Sequence, residues 1–430
     1  MIILYNIMMA IIVTLVVIPT YMIRLIREKG FGERFRQSFG LIPATTLDPV
    51  INKDCIWLHA ASVGEIVATS PIVKEIRRQF PETPILISVI TVNGYAMAKQ
   101  IIPEADCIIF ILPDLPFQMH SIVAKIKPKI ILLVETELWP KFLWTTQLLG
   151  IPVLMVNGRI GCKNLKRYHY VFFLFPHILT TVRRFCMQST TDAEYIIKLG
   201  ADPQRVFVTG NTKFDQNYTN LGQGEKDELV QQLGLKERWP IIVAGSTHKG
   251  EEELLFVAFN KIQERFEHAV LILAPREIRR RQEVSLCATT YNLSAICRTD
   301  FEKIEDKYSI VILDTIGELG KIYSIGDIVY VGGSLVPKGG HNILEPAIHG
   351  KPILVGQYMF NFKDSYTLFS NRGACQTVYD GTDLTEKLLA ILNSSETQKA
   401  MSQEALAIMN ENRGATNETL LHIKDILKCS

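Results

Sequence analysis

Short apolar runs alternate with segments of helical length along most of the chain after residue 50. Runs such as Ile130–Val134 and Ile328–Val331 are rich in β-branched residues and have the length of buried strands. Strands that are separated by helices of this size form a doubly wound parallel sheet. The pattern therefore predicts an α/β protein built from Rossmann-like units.

The strand and helix alternation runs twice, and 430 residues are too many for one ordinary core. Residues 216–238, which are rich in Asn, Gly and charge, are predicted to link a first domain, 24–215, to a second domain, 239–430. The last helical segment of the second domain is expected to cross back to the first. The predicted strands are Cys55–His59, Pro84–Ile90, Cys107–Leu112, Ile130–Val134, Val153–Asn157, Val206–Val208, Ile241–Ala244, Ala269–Ala274, Ile310–Leu313, Ile328–Val331 and Ile353–Val355.

The N-terminal 23 residues differ from this alternation. No side chain from Met1 to Ile23 is charged, and basic residues follow directly from Arg24 onward. A cleavable signal peptide carries its positive charge before the apolar stretch, so the order found here argues against one. The positive-inside rule predicts that residues 1–23 are an uncleaved membrane anchor and that everything after them is cytoplasmic.

Composition narrows the choice of function. The formal net charge is only +2, which does not indicate a nucleic-acid-binding surface. The eight cysteines are scattered without a CxxC pair, as expected for reduced thiols and not for a zinc site. The chain has no Walker lysine loop, GxGxxG or DxD pair. A mechanism without metal or cofactor is therefore expected, in which helix ends, Arg276, Lys213 and His341 oppose phosphate charge.

A glycine-rich stretch, Gly332–Gly356, follows the predicted strand Ile328–Val331 and leads into a helix expected to begin near Asn342. Two Gly-Gly pairs, the second ending at Gly340 and followed by His341, allow backbone N–H groups to approach a ligand closely. The N-terminus of a helix favours a phosphate. We predict a nucleotide site here, although tight αβ turns would use the same glycines.

Polar residues also follow the strands of the first domain. Glu65, in His59-Ala60-Ala61-Ser62-Val63-Gly64-Glu65, is a candidate general base, and a helix-start charge is the equal alternative. Glu135 and Glu137 follow Ile130–Val134, and either can stabilise positive charge on a sugar or cap a helix. Lys213 follows Val206–Val208 and is placed to neutralise a leaving phosphate, or is a surface lysine.

The second domain has polar residues in corresponding positions. The segment 244–251, which includes His248, has the small residues and helix start of an anion site. Arg276 directly follows a strand, and its planar guanidinium suits bidentate phosphate recognition. Ile316-Gly317-Glu318 lies at another helix start. Ligands of doubly wound sheets bind at the carboxyl ends of the strands, so these residues are expected to line one site.

The blocks HAASVGE, ETELWP, NGRI, GNTKFD, AGSTHKGEE, APRE and GGSL…GGHNILEPA…GKP resemble, in this order, the lipid A Kdo (3-deoxy-D-manno-octulosonic acid) transferases. The resemblance implies an inverting GT-B glycosyltransferase on the cytoplasmic face of the bacterial inner membrane, with two Rossmann-like domains facing a cleft. It implies CMP-Kdo as donor and a lipid A precursor, lipid IVA, as acceptor.

The resemblance also implies residue roles. Glu65 corresponds to the family's base, and Glu135 and Lys213 to its stabilising residues, with Glu137 as an alternative to Glu135. Ser62, His248, Gly340 and His341 remain possible contributors. The CMP-binding segments correspond to Pro275, Arg276, Ile316, Gly317, Glu318, Asn342, Ile343, Leu344 and Glu345.

Two other functions fit the residues alone. A GT-B transferase or epimerase that acts on a UDP-sugar would use the glycine loop and Glu345 equally well. A membrane-tethered nucleotide-binding protein without turnover would need no base. The UDP-sugar enzyme predicts competition by UDP and no need for lipid. The protein without turnover predicts CMP binding that survives the replacement of Glu65 and no product in any assay.

Overall fold

The computed structural model describes residues 2–27, 31–112, 114, 118–161, 175–216, 218, 221–303 and 308–429. The chain divides into two compact units. Unit 1 contains Met1–Gln216 and Asn412–Ser430, and unit 2 contains Asn217–Glu411. Each unit is built on one parallel sheet of seven strands, so the predicted α/β fold is confirmed.

The sheet of unit 1 has the strand order β3-β2-β1-β4-β5-β6-β7. Its central strands are buried at every position, which explains their unbroken apolar sequences. The order reverses between β1 and β4, where crevices for ligands form in doubly wound sheets. The strands are β1 (Ile56–His59), β2 (Ile85–Val89), β3 (Cys107–Phe110), β4 (Ile130–Val134), β5 (Val153–Gly158), β6 (Val182–Met187) and β7 (Val206–Val208).

Helices cover both faces of this sheet, and the last helix of the chain is one of them. Asp215 accepts hydrogen bonds from the N–H groups of Gly414 (2.7 Å) and Thr416 (2.6 Å). Leu420 and Ile423 are then buried in the core of unit 1. The longer helices of this unit are Val63–Gln79, Val92–Ile101, Gln118–Ile126, Pro140–Leu148, Thr190–Lys198 and Ala415–Cys429.

The N-terminal segment is a nearly continuous helix, Ile2–Ile12, a π-helical turn at Val13–Val17, and Ile18–Arg27. The part Tyr5–Ile26 is long and apolar enough to cross a membrane, judged by length and composition. One side of this helix contacts the rest of unit 1, because the Tyr5 hydroxyl donates to the buried carboxylate of Asp114. The Tyr5 ring also packs edge-on against Trp144 at 5.3 Å between centroids.

The sheet of unit 2 has the order β10-β11-β9-β8-β12-β13-β14 and reverses between β8 and β12. Val331 of β12 lies beside Gly245 of β8, so the loops after these strands are neighbours. The strands are β8 (Ile241–Thr247), β9 (Val270–Pro275), β10 (Ala295–Cys297), β11 (Ile310–Ile312), β12 (Ile328–Val331), β13 (Ile353–Gly356) and β14 (Cys375–Val378).

Two features of unit 2 differ from the sequence-based expectation. Residues 216–238 are not a plain linker, because Gln223–Gln232 forms a helix within unit 2. The helix expected from Asn342 is the single turn Leu344–Ala347, because Gly350 follows closely and ends it. The longer helices are Gln223–Gln232, Glu252–Gln263, Arg281–Thr290, Lys363–Asn371, Gly381–Leu392 and Ser395–Glu411.

Candidate functional site

Glu65 lies in the first turn of the helix Val63–Gln79, directly after β1. Its side chain is buried, with only 8% exposed. One carboxylate oxygen accepts the Ala61 N–H (2.7 Å) and the other accepts the Ser62 hydroxyl (2.8 Å). Both donors belong to its own loop, so the carboxylate is held at the carboxyl end of the sheet. The Ser62 hydroxyl is thus a direct hydrogen-bond donor to Glu65.

Glu135 and Lys213 form an ion pair near this carboxylate. Lys213 Nζ lies 2.9 Å from Glu135 Oε1, and both side chains are partly buried. Glu135 directly follows β4 and has a φ of 55°, a left-handed conformation that non-glycine residues adopt at an energetic cost. Glu135 and Lys213 therefore lie together after β4 and β7, and their expected roles stay predictions.

Glu137 lies on the same side of the sheet. The indole N–H of Trp139 donates to Glu137 Oε2. The same oxygen lies 3.6 Å from Nε2 of His59, the last residue of β1. His59 stands beside Leu133 in the sheet, which explains why the loop after β4 reaches it. Glu137 therefore has a position distinct from that of Glu135, which pairs with Lys213.

The electrostatic consequence falls on Glu65. Burial and the negative charges of Glu137 and then Glu135 raise its pKa from the ordinary value of 4.5 to about 8, against the opposing hydrogen bonds from Ala61 and Ser62. A carboxyl group with a pKa near neutrality combines a useful ionised fraction with high basicity. This arrangement can accept a proton from a hydroxyl group.

The candidate donor-binding residues form a second cluster within unit 2. Arg276 follows β9 and is exposed. Burial is the main cause of the lowered pKa values of His248 and His341, and the charge of Arg276 lowers both further. The same charge opposes the rise that burial causes in the pKa of Glu345, so these side chains share one region. The last residue of β9, Pro275, is buried beneath it.

His248 and His341 form a stacked pair. Their rings are parallel within 4° at 5.3 Å between centroids, and their Nε2 atoms are 3.0 Å apart, so one ring donates to the other. Burial and the charge of Arg276 lower the pKa of His341 to about 4. The ring of His341 is therefore neutral at pH 7 in the free protein, and its expected role opposite a phosphate stays a prediction.

The glycine loop after β12 does not offer its first N–H groups to a ligand, as we had expected. A fully buried carboxylate, that of Glu251, accepts the N–H groups of Gly333 (2.7 Å), Ser334 (3.0 Å) and Leu335 (2.9 Å). The N–H of Gly340 donates to the carbonyl of Gly333 (2.7 Å), which closes the loop. These glycines therefore shape the loop, and the anion they bind is internal.

Gly333 shows why the loop needs glycine. Its φ is 67°, and an added Cβ would lie 3.0 Å from the ring of His341. The loop and the histidine pair therefore pack directly on each other.

The segment Asn342–Glu345 contains two kinds of residue. Ile343 and Leu344 are buried in the core, so their side chains hold the segment and do not reach a ligand. Asn342 accepts the N–H of Leu344 (3.0 Å) and approaches Glu345 Oε1 at 3.4 Å. Burial raises the pKa of Glu345, while Asn342 and Arg276 oppose that rise.

The loop after β11 carries the third candidate segment. Ile316 is 84% exposed, an unusual position for a large aliphatic side chain. Gly317 has a φ of 88°. Glu318 accepts the Thr315 hydroxyl and lies 3.5 Å from Arg298. Ile316 therefore offers an open apolar surface, whereas Glu318 is already engaged.

Three residues with clear structural roles were not selected from the sequence. Glu251 binds the glycine loop, Asp215 binds the N-terminus of the last helix, and His59 contacts the carboxylate cluster. Each belongs to a motif block that was recognised, so proximity to a chosen residue was the available signal. Among the described residues, no group of three or more His, Cys, Asp or Glu side chains is arranged to hold a metal ion.

The comparisons with known proteins agree with this arrangement. Residues 33–216 match the family described as 3-Deoxy-D-manno-octulosonic-acid transferase (kdotransferase). A 3-deoxy-D-manno-octulosonic acid transferase of Haemophilus influenzae is 28% identical over 409 residues, covering 94% of this chain and 93% of the relative. A protein with the same description from Aquifex aeolicus is 30% identical, covering 79% and 87%.

Solved structures show the same fold at low sequence identity. A putative UDP-N-acetylglucosamine 2-epimerase from Listeria monocytogenes aligns with a TM-score of 0.55, covering 88% of this chain and 98% of that one at 15% identity. The two parallel sheets of seven strands thus define a GT-B fold.

Sequence identity to the Kdo transferases narrows this class. The chain belongs to the 3-deoxy-D-manno-octulosonic acid transferase family and is a glycosyltransferase, so the recognition made from the motif blocks is confirmed.

Proposed function

We propose that the protein transfers Kdo from CMP-Kdo to a hydroxyl group of a lipid A precursor in one displacement, with inversion, and that Glu65 is the base. The observation that carries this proposal is the buried Glu65 carboxyl, whose pKa is raised to about 8 at the carboxyl end of β1. Family membership supports the sugar and the reaction class.

The chemistry follows from the carboxylate cluster. Glu65 takes the proton of the acceptor hydroxyl while the oxygen of that hydroxyl bonds to the anomeric carbon. The bond from that carbon to the phosphate oxygen breaks, and CMP leaves. Positive charge develops on the sugar in such transition states. The neighbouring carboxylates of Glu135 and Glu137 favour that charge. Lys213 holds Glu135 in place at 2.9 Å and offsets part of the negative charge of the cluster.

The donor's cytidylate is assigned to unit 2. Arg276 is exposed and cationic, which suits the phosphate. The exposed side chain of Ile316 suits contact with the base. The charge of Arg276 acts on Glu345, and Asn342 approaches Glu345 at 3.4 Å. Both side chains suit the ribose hydroxyls. The phosphate is held by Arg276 and not by Gly333, Ser334 or Leu335, whose N–H groups bind Glu251.

The N-terminal helix supports a membrane-bound acceptor. Tyr5–Ile26 has the length and composition of a membrane span, and Arg24 lies at its C-terminal end. Basic residues on that side place the remainder of the chain in the cytoplasm. We therefore propose the cytoplasmic face of the inner membrane as the location, where the acyl chains of the acceptor remain in the bilayer.

The test is incubation of the purified full-length protein with CMP-Kdo and a tetra-acylated lipid A precursor, followed by mass spectrometry of the lipid. We expect a mass increase of one or more Kdo residues and release of CMP. UDP-N-acetylglucosamine replaces the donor in a parallel reaction, where no product is expected. Transfer from the UDP-sugar, or no transfer from CMP-Kdo, contradicts the proposal.

A further inference from the structure

His59 is the one buried histidine of the carboxylate cluster whose environment the proposed chemistry leaves unexplained. It is fully buried, and its Nε2 atom has no hydrogen-bond partner within the described residues. This atom points to Glu137 Oε2 at 3.6 Å, slightly beyond hydrogen-bond distance. An unsatisfied nitrogen in a fully buried ring is costly, so its direction toward a carboxylate requires a reason.

The other ring nitrogen of His59 indicates where the proton lies. Nδ1 is 2.8 Å from the hydroxyl oxygen of Ser88, which also accepts the indole N–H of Trp57 at 2.7 Å. The Ser88 hydroxyl proton remains available for Nδ1, which favours the neutral ring with its proton on Nε2. A protonated ring carries one there as well. In the remaining arrangement, the neutral ring with its proton on Nδ1, the lone pair of Nε2 faces the carboxylate, and that contact is repulsive.

Packing fixes the ring in this orientation. The ring of Phe142 meets it edge-on, at 89° and 5.7 Å between centroids, and also packs against Trp57. Because Trp57 and His59 alternate with Leu58 along β1, both stand on one face of the sheet. The Nε2–H is therefore held toward Glu137 by a rigid strand, not by a flexible loop.

Glu137 in turn acts on Glu65. Its Oε2 atom is approached by two ring nitrogens, from Trp139 and from His59, and both fix the position of the carboxylate. Of the two carboxylates that raise the pKa of Glu65, Glu137 has the larger influence. A defined charge on Glu137 thus keeps Glu65 strongly basic.

We propose that His59 is a positioning residue of the transfer reaction: its Nε2–H holds the carboxylate of Glu137 beside Glu65, the proposed base. The inference rests on the proposed role of Glu65. It adds a residue from the motif His59–Glu65 and assigns Glu137 a function different from that of Glu135.

The charged and polar groups that face this cluster are all on the same side of unit 1, so their effects can be separated by mutation. Glu65 comes from the helix after β1, the ion pair of Glu135 and Lys213 from the ends of β4 and β7, and the donors from Ser62, the Ala61 N–H and Trp139. In this set, His59 and Trp139 are the two residues that contact Glu137.

Two substitutions of similar size separate the two ring nitrogens. His59→Asn keeps a polar group near Ser88 but removes the donor that faces Glu137, whereas His59→Gln reaches the Nε2 position with an amide N–H. The measurement is the pH profile of kcat/KM for transfer from CMP-Kdo, which reports the pKa of the free enzyme's base. Ile56→Val, a mild core change on the other face of β1, is the control for structural damage.

We expect His59→Asn to move the acid limb of the profile to lower pH by about one unit, because the carboxylate of Glu137 is then no longer held beside Glu65 and a neighbouring charge changes a pKa by that order. His59→Gln is expected to keep the limb within about 0.3 units of its original position. Glu137→Gln should produce the same shift as His59→Asn, and the double variant should show no further shift. Ile56→Val should leave the limb unchanged.

Equal limbs for His59→Asn and the unmodified protein would overturn the inference, as would equal shifts for His59→Asn and His59→Gln. Additive shifts in the double variant would show that His59 does not act through Glu137. If a His59 variant fails to fold, Glu137→Gln alone still decides the second step, since an unchanged limb contradicts it. Turnover that persists in Glu65→Gln is a different result, because it removes the proposed base itself.

Discussion

Glu65 and Glu251 occupy comparable places in the two units but have opposite surroundings. Each follows the first strand of its sheet, β1 or β8, and each lies in a loop or first turn at the switch in strand order. Glu65 accepts two hydrogen bonds and has carboxylates as neighbours. Glu251 accepts five, from Tyr330, Gly333, Ser334, Leu335 and His248.

The difference teaches how one residue type at one fold position becomes reactive or structural. A carboxylate that is saturated with N–H and O–H donors is stable as an anion and has little tendency to take a proton. A carboxylate with few donors beside like charges holds a proton strongly. Unit 1 therefore has the proposed base at this position, and unit 2 has a buried carboxylate that fixes the glycine loop.

The largest expected effect is the loss of turnover in Glu65→Gln. We expect transfer to fall by about 10²–10⁴-fold, the range that a general base contributes. The dissociation constant for CMP should stay within about twofold, because Glu65 is not among the residues assigned to cytidylate. Single-turnover rates and equilibrium titration with CMP measure the two quantities. A rate within tenfold of the original would contradict the role as base.

The second prediction reverses the comparison by removing the other carboxylate. Glu251→Gln places an amide N–H₂ against the N–H groups of Gly333 and His248, so we expect a loss of about 2–4 kcal/mol in the stability of unit 2. Thermal unfolding followed by calorimetry should show the lower transition. Glu65→Gln is the matched control and should not lower the stability, because it removes repulsion between like charges. Equal destabilisation of both variants would contradict the contrast.

The sequence alone predicts much of the fold, for a physical reason. Buried parallel strands such as Ile130–Val134 and Ile328–Val331 are apolar throughout, and the structure has both with these bounds. The pattern did not predict edge strands such as Cys375–Val378, which has two partly exposed positions and a Gln. It also missed the internal strand Val182–Met187, which contains two Arg, so apolar continuity identifies strands that are apolar throughout and misses those with polar positions.

The site was predictable in position but not in detail. Parallel strands bring their ends together, so Glu65, Glu135 and Lys213 were expected at one edge. Which carboxylate pairs with Lys213 depends on a left-handed φ of 55° at Glu135, and the sequence contains no sign of it. Likewise, the contact between the glycine loop and Glu251 could not be predicted, because Glu251 is 82 residues away from Gly333 in sequence. The loop was therefore expected to bind a ligand.

The third prediction concerns the pH dependence of stability in unit 1. The pKa of Glu65 is raised from 4.5 to about 8, so the folded protein binds this proton more tightly than the unfolded chain does. The resulting stabilisation is complete below pH 4.5 and is lost as pH rises through 8. We expect the stability of the unmodified protein, relative to Glu65→Gln, to fall by about 4 kcal/mol between pH 5 and pH 9. A parallel pH dependence of the two proteins would contradict the raised pKa.

The fourth prediction tests the assignment of phosphate binding to Arg276 and not to the glycine loop. Arg276→Ala should weaken CMP binding by about 10–100-fold, the loss expected for a charge-assisted contact. Arg279→Ala is the matched control, because Arg279 is exposed and pairs with Glu277. Its CMP affinity should change by less than about twofold. An unchanged affinity in Arg276→Ala would transfer the phosphate to other groups of unit 2.

The smallest expected effect comes from the counter-charge in the carboxylate cluster. Lys213→Met leaves the carboxylate of Glu135 without its ion-pair partner, and this negative charge already raises the pKa of Glu65. The acid limb of kcat/KM should therefore move to higher pH, by about half a unit, opposite to the shift expected for His59→Asn. Glu135→Gln in the same chain removes the uncompensated charge, so the double variant should return toward or below the original limb, while its maximal rate stays reduced. A shift of Lys213→Met to lower pH would contradict the assignment, because the cation would then not act on Glu65 through Glu135. The two opposite shifts, measured in one assay, separate the contribution of Glu135 from that of Glu137.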